Sequence, residues 1–159
     1  MSQGRNRRVR TAIAVALCCA GMAFAGRAAR AEGDVRLPGL DGGQLTSADL
    51  ARGTTLVVVW ASWSPRCRDI VERVNALSAK WSGRARVVTV DFQEEPAEVE
   101  RFLAGKSLAA PVYLDRDGEF SKAHAVATLP GLIVFSDGQA RFQGKLPADP
   151  DAVIADALR

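Results

Sequence analysis

Seven residues, Thr54-Thr55-Leu56-Val57-Val58-Val59-Trp60, constrain the fold more than any other stretch of the chain. The run is apolar, β-branched and too short for a helix. It predicts a strand buried on both faces in the middle of a sheet. Ser64-Pro65 then reads as a helix start, because serine can cap the first free amides and proline at the first helical position forfeits no hydrogen bond. Ile70, Val71, Val74, Leu77 and Trp81 follow at helical spacing, separated by Arg68, Asp69, Glu72 and Arg73. That pattern predicts an amphipathic helix. Cys67 is thereby expected in the first helical turn, just past the C-terminal end of a buried strand.

The chain has 159 residues, enough for one domain with a substantial core. Residues 1–31 read as a secretory signal peptide of bacterial type, leaving residues 32–159 as the domain. Arg5, Arg7, Arg8 and Arg10 form a basic start, and Thr11–Ala25 is an apolar stretch short for a membrane span. Ala23-Phe24-Ala25 and Ala29-Arg30-Ala31 are both small-residue cleavage sites, so removal of residues 1–25 or 1–31 is expected. An uncleaved membrane anchor is the alternative. The whole chain carries a formal charge of +3, but residues 1–31 hold six arginines and no acid, and without them the net charge is −3. The basic excess belongs to the targeting segment and gives no argument for nucleic-acid binding. Cys18 and Cys19 leave with that segment. Cys67 is then a lone thiol in an oxidising compartment, where it must stay free, pair with another molecule or be buried.

Along the remaining chain, Val35–Leu45 carries an Asp41-Gly42-Gly43 turn between apolar residues, consistent with a hairpin. Ser47–Leu50 is one helical turn. Ala85–Asp91 is a second buried strand, and a helix with acids at its positive end starts at Glu94-Glu95-Pro96 and runs to about Lys106. Pro111–Leu114 is a short strand, Phe120–Val126 a helical turn, and Leu132–Ser136 and Gln139–Gly144 are strands joined at Asp137-Gly138. Asp151–Leu158 closes as a helix. This order predicts an α/β domain with a central mixed sheet and helices on both faces.

The stretch Trp60-Ala61-Ser62-Trp63-Ser64-Pro65-Arg66-Cys67-Arg68 resembles the thioredoxin superfamily, and within it the TlpA/ResA-type branch of exported thiol-disulfide oxidoreductases. Their signature is a strand, then W-A-S-W-C-x-x-C-R, then a helix. Ser64 stands where that family has its nucleophilic cysteine, so the motif is S-x-x-C. Leu114-Asp115-Arg116-Asp117-Gly118 and Leu129-Pro130-Gly131 extend the likeness over nearly the whole chain after residue 31. The resemblance implies a thioredoxin-like fold with an N-terminal strand or hairpin extension. It also implies a cis peptide bond at Pro130 and an extended substrate peptide lying against Leu129.

In this reading Cys67 and Ser64 are the candidate catalytic pair, and Trp63, Pro65, Leu129 and Pro130 line a substrate groove. Cys67 matches the second, resolving cysteine of the family. With serine at 64 a dithiol cycle cannot run, which leaves monothiol chemistry at Cys67, its thiol expected to be acidified by the helix start and by Arg66 and Arg68. The alternatives are a buried, inert Cys67 within a non-catalytic peptide-binding module, and a one-cysteine peroxidase, since Ser64-Pro65-Arg66-Cys67 half-matches the peroxiredoxin [ST]-x-x-C. Ser64 itself is expected to cap the helix with its hydroxyl. Expected partners are protein thiols and disulfides or small thiols, with a membrane-anchored redox partner and a Cys67-linked homodimer among them, and no nucleic acid. Val58 and Ile70 replace groups that could handle protons in the family. His124 reads as a surface or packing residue. No residue cluster has metal-ligand spacing, so neither metal nor cofactor is expected.

Overall fold

The apolar run Thr54–Trp60 is the middle strand, β3, of a five-stranded sheet. It needs cover on both faces, and the elements around it supply that cover. The computed structural model describes residues 34–159; the expected signal peptide lies outside the described residues. Strand β4 (Arg86–Phe92) pairs parallel to β3, and β5 (Val112–Asp115) pairs parallel to β4. On the other side β6 (Gly131–Ser136) runs antiparallel to β3 and β7 (Gln139–Lys145) antiparallel to β6. The sheet order is β5-β4-β3-β6-β7. A separate antiparallel hairpin, β1 (Arg36–Pro38) and β2 (Gln44–Thr46), turns through Gly42 and Gly43, both at positive φ. It reaches the sheet edge through the Leu40 amide, which donates to the Val112 carbonyl at 2.9 Å.

Alternate residues of β3 feed two cores. Leu56, Val58 and Trp60 pack with Ile70, Val74, Leu77 and Trp81 of α2 (Ile70–Trp81), Val99 of α3 (Pro96–Leu103) and Ile154 of α5 (Asp151–Ala157). Val57 and Val59 face the other way, onto Leu50 of α1 (Ser47–Leu50), Phe120 of α4 (Glu119–Ala123) and Leu37 and Leu45 of the hairpin. Each such side chain contributes about 1.5–3 kcal/mol on full burial. The mixed sheet with helices on both faces is the thioredoxin-like architecture that the sequence leads one to expect.

Three local expectations need correction. Residues 65–81 do not form one helix. Pro65–Cys67 is a single 3-10 turn, and α2 begins only at Ile70. The Ser64 hydroxyl makes no capping hydrogen bond; its carbonyl instead accepts the Cys67 amide at 2.9 Å. The second helix starts at Pro96 rather than Glu94: Glu95 and Glu98 form a reciprocal cap there, which frees Glu94 to turn inward, where it is only 4 % exposed. His124 is a packing residue, with ring centroids 4.6 Å from Phe120 and 5.2 Å from Phe135.

The turn after β5 depends on one buried carboxylate. Asp115 accepts the amides of Phe120 and Ser121 at 3.1 and 2.8 Å, so it caps α4 and seats Phe120 in the core. Asp115→Ala strands two buried donors, and chemical denaturation is expected to show a loss of about 3 kcal/mol. A loss below about 1 kcal/mol would mean that water replaces the carboxylate there.

Candidate functional site

Strands β3 and β4 end, and antiparallel β6 begins, at the same edge of the sheet. The register sets Trp60 beside Asp91 and Val59 beside Gly131. Three short segments therefore meet at this edge: residues 61–67 leaving β3, Phe92 ending β4, and residues 126–130 entering β6. Between them lies a groove of about 480 Å³, lined by Trp63, Ser64, Pro65 and Arg66 from the first segment, Phe92 from the second, and Val126, Ala127, Thr128 and Leu129 from the third. Trp63 is 60 % exposed, and it is the one large hydrophobic side chain so exposed among the described residues. An aromatic ring left in water at the rim of an apolar groove presents an apolar face with a polar N–H beside it.

Of the residues singled out in the sequence, Trp63, Ser64, Pro65 and Leu129 line this groove, and Pro130, the next residue in the chain, does not. The Leu129–Pro130 peptide bond is cis, and the Pro130 carbonyl accepts the Leu146 amide at 2.9 Å. Gly131 matters for space: a Cβ there would lie 2.8 Å from Val126 Cγ1. Only glycine lets Val126 settle against the start of β6 and form the groove wall.

Cys67 is not in the groove wall. Its side chain is fully buried in the same core as Val58, Trp60, Ile70 and Val74. Burial pushes its thiol above the ordinary value. The Ala61 backbone, the Ser64 hydroxyl and the Arg73 guanidinium pull the other way, and burial outweighs them. This corrects the expectation of an acidified thiol. The reason is geometric: the 3-10 turn points Cys67 down into the core, while Arg66 and Arg68 stay in solvent. Arg73 is nearer because it is tethered, donating to the Leu146 and Pro147 carbonyls at 3.0 and 2.8 Å. Val58 and Ile70, both buried beside the thiol, bring no proton-handling group to it.

Three features of the site, made by four residues, escape the sequence reading. Phe92 lies one residue past the expected strand Ala85–Asp91, and only the parallel register of β4 with β3 brings it to the groove. Thr128 lines the groove from the loop before Leu129-Pro130 and belongs to no motif. Ser62 and Glu94, thirty-two positions apart, form the third feature: Glu94 accepts the Ser62 amide at 2.5 Å and the Ser62 hydroxyl as well. The residue just before Trp63 is thus tied to the loop that follows β4.

A buried thiol with a raised pKa reacts slowly. Iodoacetamide labelling of native Cys67 is expected to be far slower than labelling of the unfolded chain, with its pH midpoint above that of a free thiol. Fast native labelling with a midpoint below the free-thiol value of about 8.5 would contradict this geometry.

Comparison with known proteins agrees with the architecture. Thioredoxin of Staphylococcus aureus is 27% identical over 100 residues, covering 60% of this chain and 75% of that protein. A Chlorobium tepidum structure assigned as a thiol:disulfide interchange protein, DsbE, superposes with a TM-score of 0.67 at 27% identity, covering 79% of this chain and 94% of that one. StoA from Bacillus subtilis superposes with a TM-score of 0.63 over 79% of this chain and 96% of its own, and at 20% identity shows likeness of fold. The family model described as Redoxin matches residues 25–150. With its thioredoxin-like sheet and its groove beside the S-x-x-C turn, the chain is of thiol-disulfide oxidoreductase lineage and belongs to the redoxin family.

Proposed function

We propose that this chain is an exported redoxin of the TlpA/ResA type that binds extended polypeptide in the Trp63–Leu129 groove without performing dithiol exchange. The observation that carries the reading is the separation of groove from thiol. Trp63 stands 60 % exposed at the rim, while Cys67 is fully buried. Serine at 64 removes the nucleophile of the family motif, and a hydroxyl with no base beside it does not attack a disulfide near neutral pH. An apolar groove with backbone groups along Thr128 and Leu129 suits an extended segment with apolar side chains and no fixed sequence. Export rests on the signal-peptide character of residues 1–31. A Mycobacterium tuberculosis disulfide oxidoreductase of similar fold, described as secreted and homologous to DsbE, is in keeping with it.

Monothiol exchange at Cys67 is the second reading, favoured by one feature: the Ser64 hydroxyl and the Ala61 backbone both act on the sulfur in the direction that stabilises a thiolate. Under it the partner is a protein or small-molecule disulfide, or a second copy of the chain. The burial of the sulfur weighs against this reading and equally against a one-cysteine peroxidase, since both need access to the thiol.

A cysteine-free, capped peptide of alternating valine and serine tests the two. Binding followed by tryptophan fluorescence is expected to weaken about tenfold in Trp63→Ala, as for an aromatic anchor at a groove rim, and to change less than about twofold in Cys67→Ala. No binding to the wild-type protein, together with a mixed disulfide formed at Cys67 by glutathione disulfide, would favour monothiol exchange instead.

A further inference from the structure

Beside Trp60, near the end of β4, lies a buried acid that peptide binding does not use. Asp91, the sixth residue of β4, is fully buried, and neither of its carboxyl oxygens accepts a hydrogen bond of ordinary geometry from a donor among the described residues. Its register neighbours are Trp60 on β3 and Leu114 on β5, neither of them charged. The titratable groups acting on it are Glu94, from the loop after β4, and Glu98, from α3. Cys67, the other titratable group of this core, responds to Arg73 and Asp69 instead. No cation is among the groups acting on Asp91.

Glu94 is itself 4 % exposed, and its two oxygens are occupied by the amide and hydroxyl of Ser62. Two carboxyl groups that meet away from water, as the Asp91 and Glu94 side chains do, can hydrogen-bond each other only if one keeps its proton. Glu94 is the acceptor for both Ser62 donors, so the proton belongs on Asp91. The direction of its titration agrees: burial, then the Glu94 side chain, push Asp91 up to about 9, with the Glu94 amide partly opposing.

We propose that Asp91 and Glu94 form a one-proton carboxyl pair that latches Ser62, and through it the exposed Trp63, in place at the mouth of the groove. Asp91 donates to Glu94, and Glu94 accepts from Ser62. When Asp91 gives its proton to solvent, two buried carboxylates face each other and Glu94 is driven from the loop. Asp91 and Glu94 are positioning residues, for neither lines the groove. The consequence for peptide affinity rests on the function proposed above; the latch itself does not.

The test is therefore made on the free protein. Carboxyl-¹³C-labelled aspartate reports Asp91, and the Ser62 amide and Trp63 indole N–H report the loop, all followed by NMR from neutral to alkaline pH. The expected result is an Asp91 midpoint near 9 with the Ser62 and Trp63 resonances moving at the same midpoint. Asp91→Asn supplies a donor that cannot titrate, and is expected to keep the neutral-pH positions of both loop resonances and lose their alkaline response. An Asp91 midpoint in the ordinary carboxylate range overturns the latch, and so does a loop response that persists unchanged in Asp91→Asn. Should that variant not fold, the wild-type titration decides alone: loop resonances that ignore the Asp91 midpoint overturn the proposal. A groove that binds no peptide leaves these outcomes untouched.

Discussion

Burial of β3 on both faces is the constraint on which the site depends. A strand with Leu56, Val58 and Trp60 on one side and Val57 and Val59 on the other cannot sit at a sheet edge or slide by one residue without exposing a set of large apolar groups. It is therefore locked between parallel β4 and antiparallel β6. That locking fixes where the chain leaves β3, where β4 stops and where β6 starts. The groove is what remains open where these three points meet.

The same core explains what became of the thiol. Position 67 closes a tight 3-10 turn that points its side chain back among Val58, Ile70 and Val74. A family dithiol tolerates a sheltered second cysteine because the first one, exposed, opens the reaction. With serine at 64, the shelter remains and, in the function proposed here, the opening step is gone. Cys67 then behaves as a small hydrophobic side chain that fits its cavity, while the groove, whose walls are made by other residues, keeps its shape.

Much of this was legible in the sequence, because it depends on strong local signals. The β3 run, the spacing of α2, the Asp-Gly turns and the Leu129-Pro130-Gly131 corner each predict what is found. The misreadings come from tertiary competition with local preference. Ser64-Pro65 is a good helix start by propensity, yet docking Cys67 into the core favours a 3-10 turn, and the serine hydroxyl faces the sulfur instead of an amide. Glu94 has the look of a helix-start acid, but Glu95 and Glu98 already cap that helix. Phe92 and the Ser62–Glu94 link could not be read locally at all, since they exist only through the pairing of β3 with β4.

The central claim is that the groove, rather than the thiol, is the working surface. Its most direct test is a map of backbone amide shifts in the native protein as the capped valine–serine peptide is added. The account predicts changes concentrated in residues 61–66, at Phe92 and in residues 126–129, with the Cys67 side chain still unlabelled by thiol reagents in the complex. Changes centred elsewhere, or a complex that forms only through a covalent bond to Cys67, would contradict it.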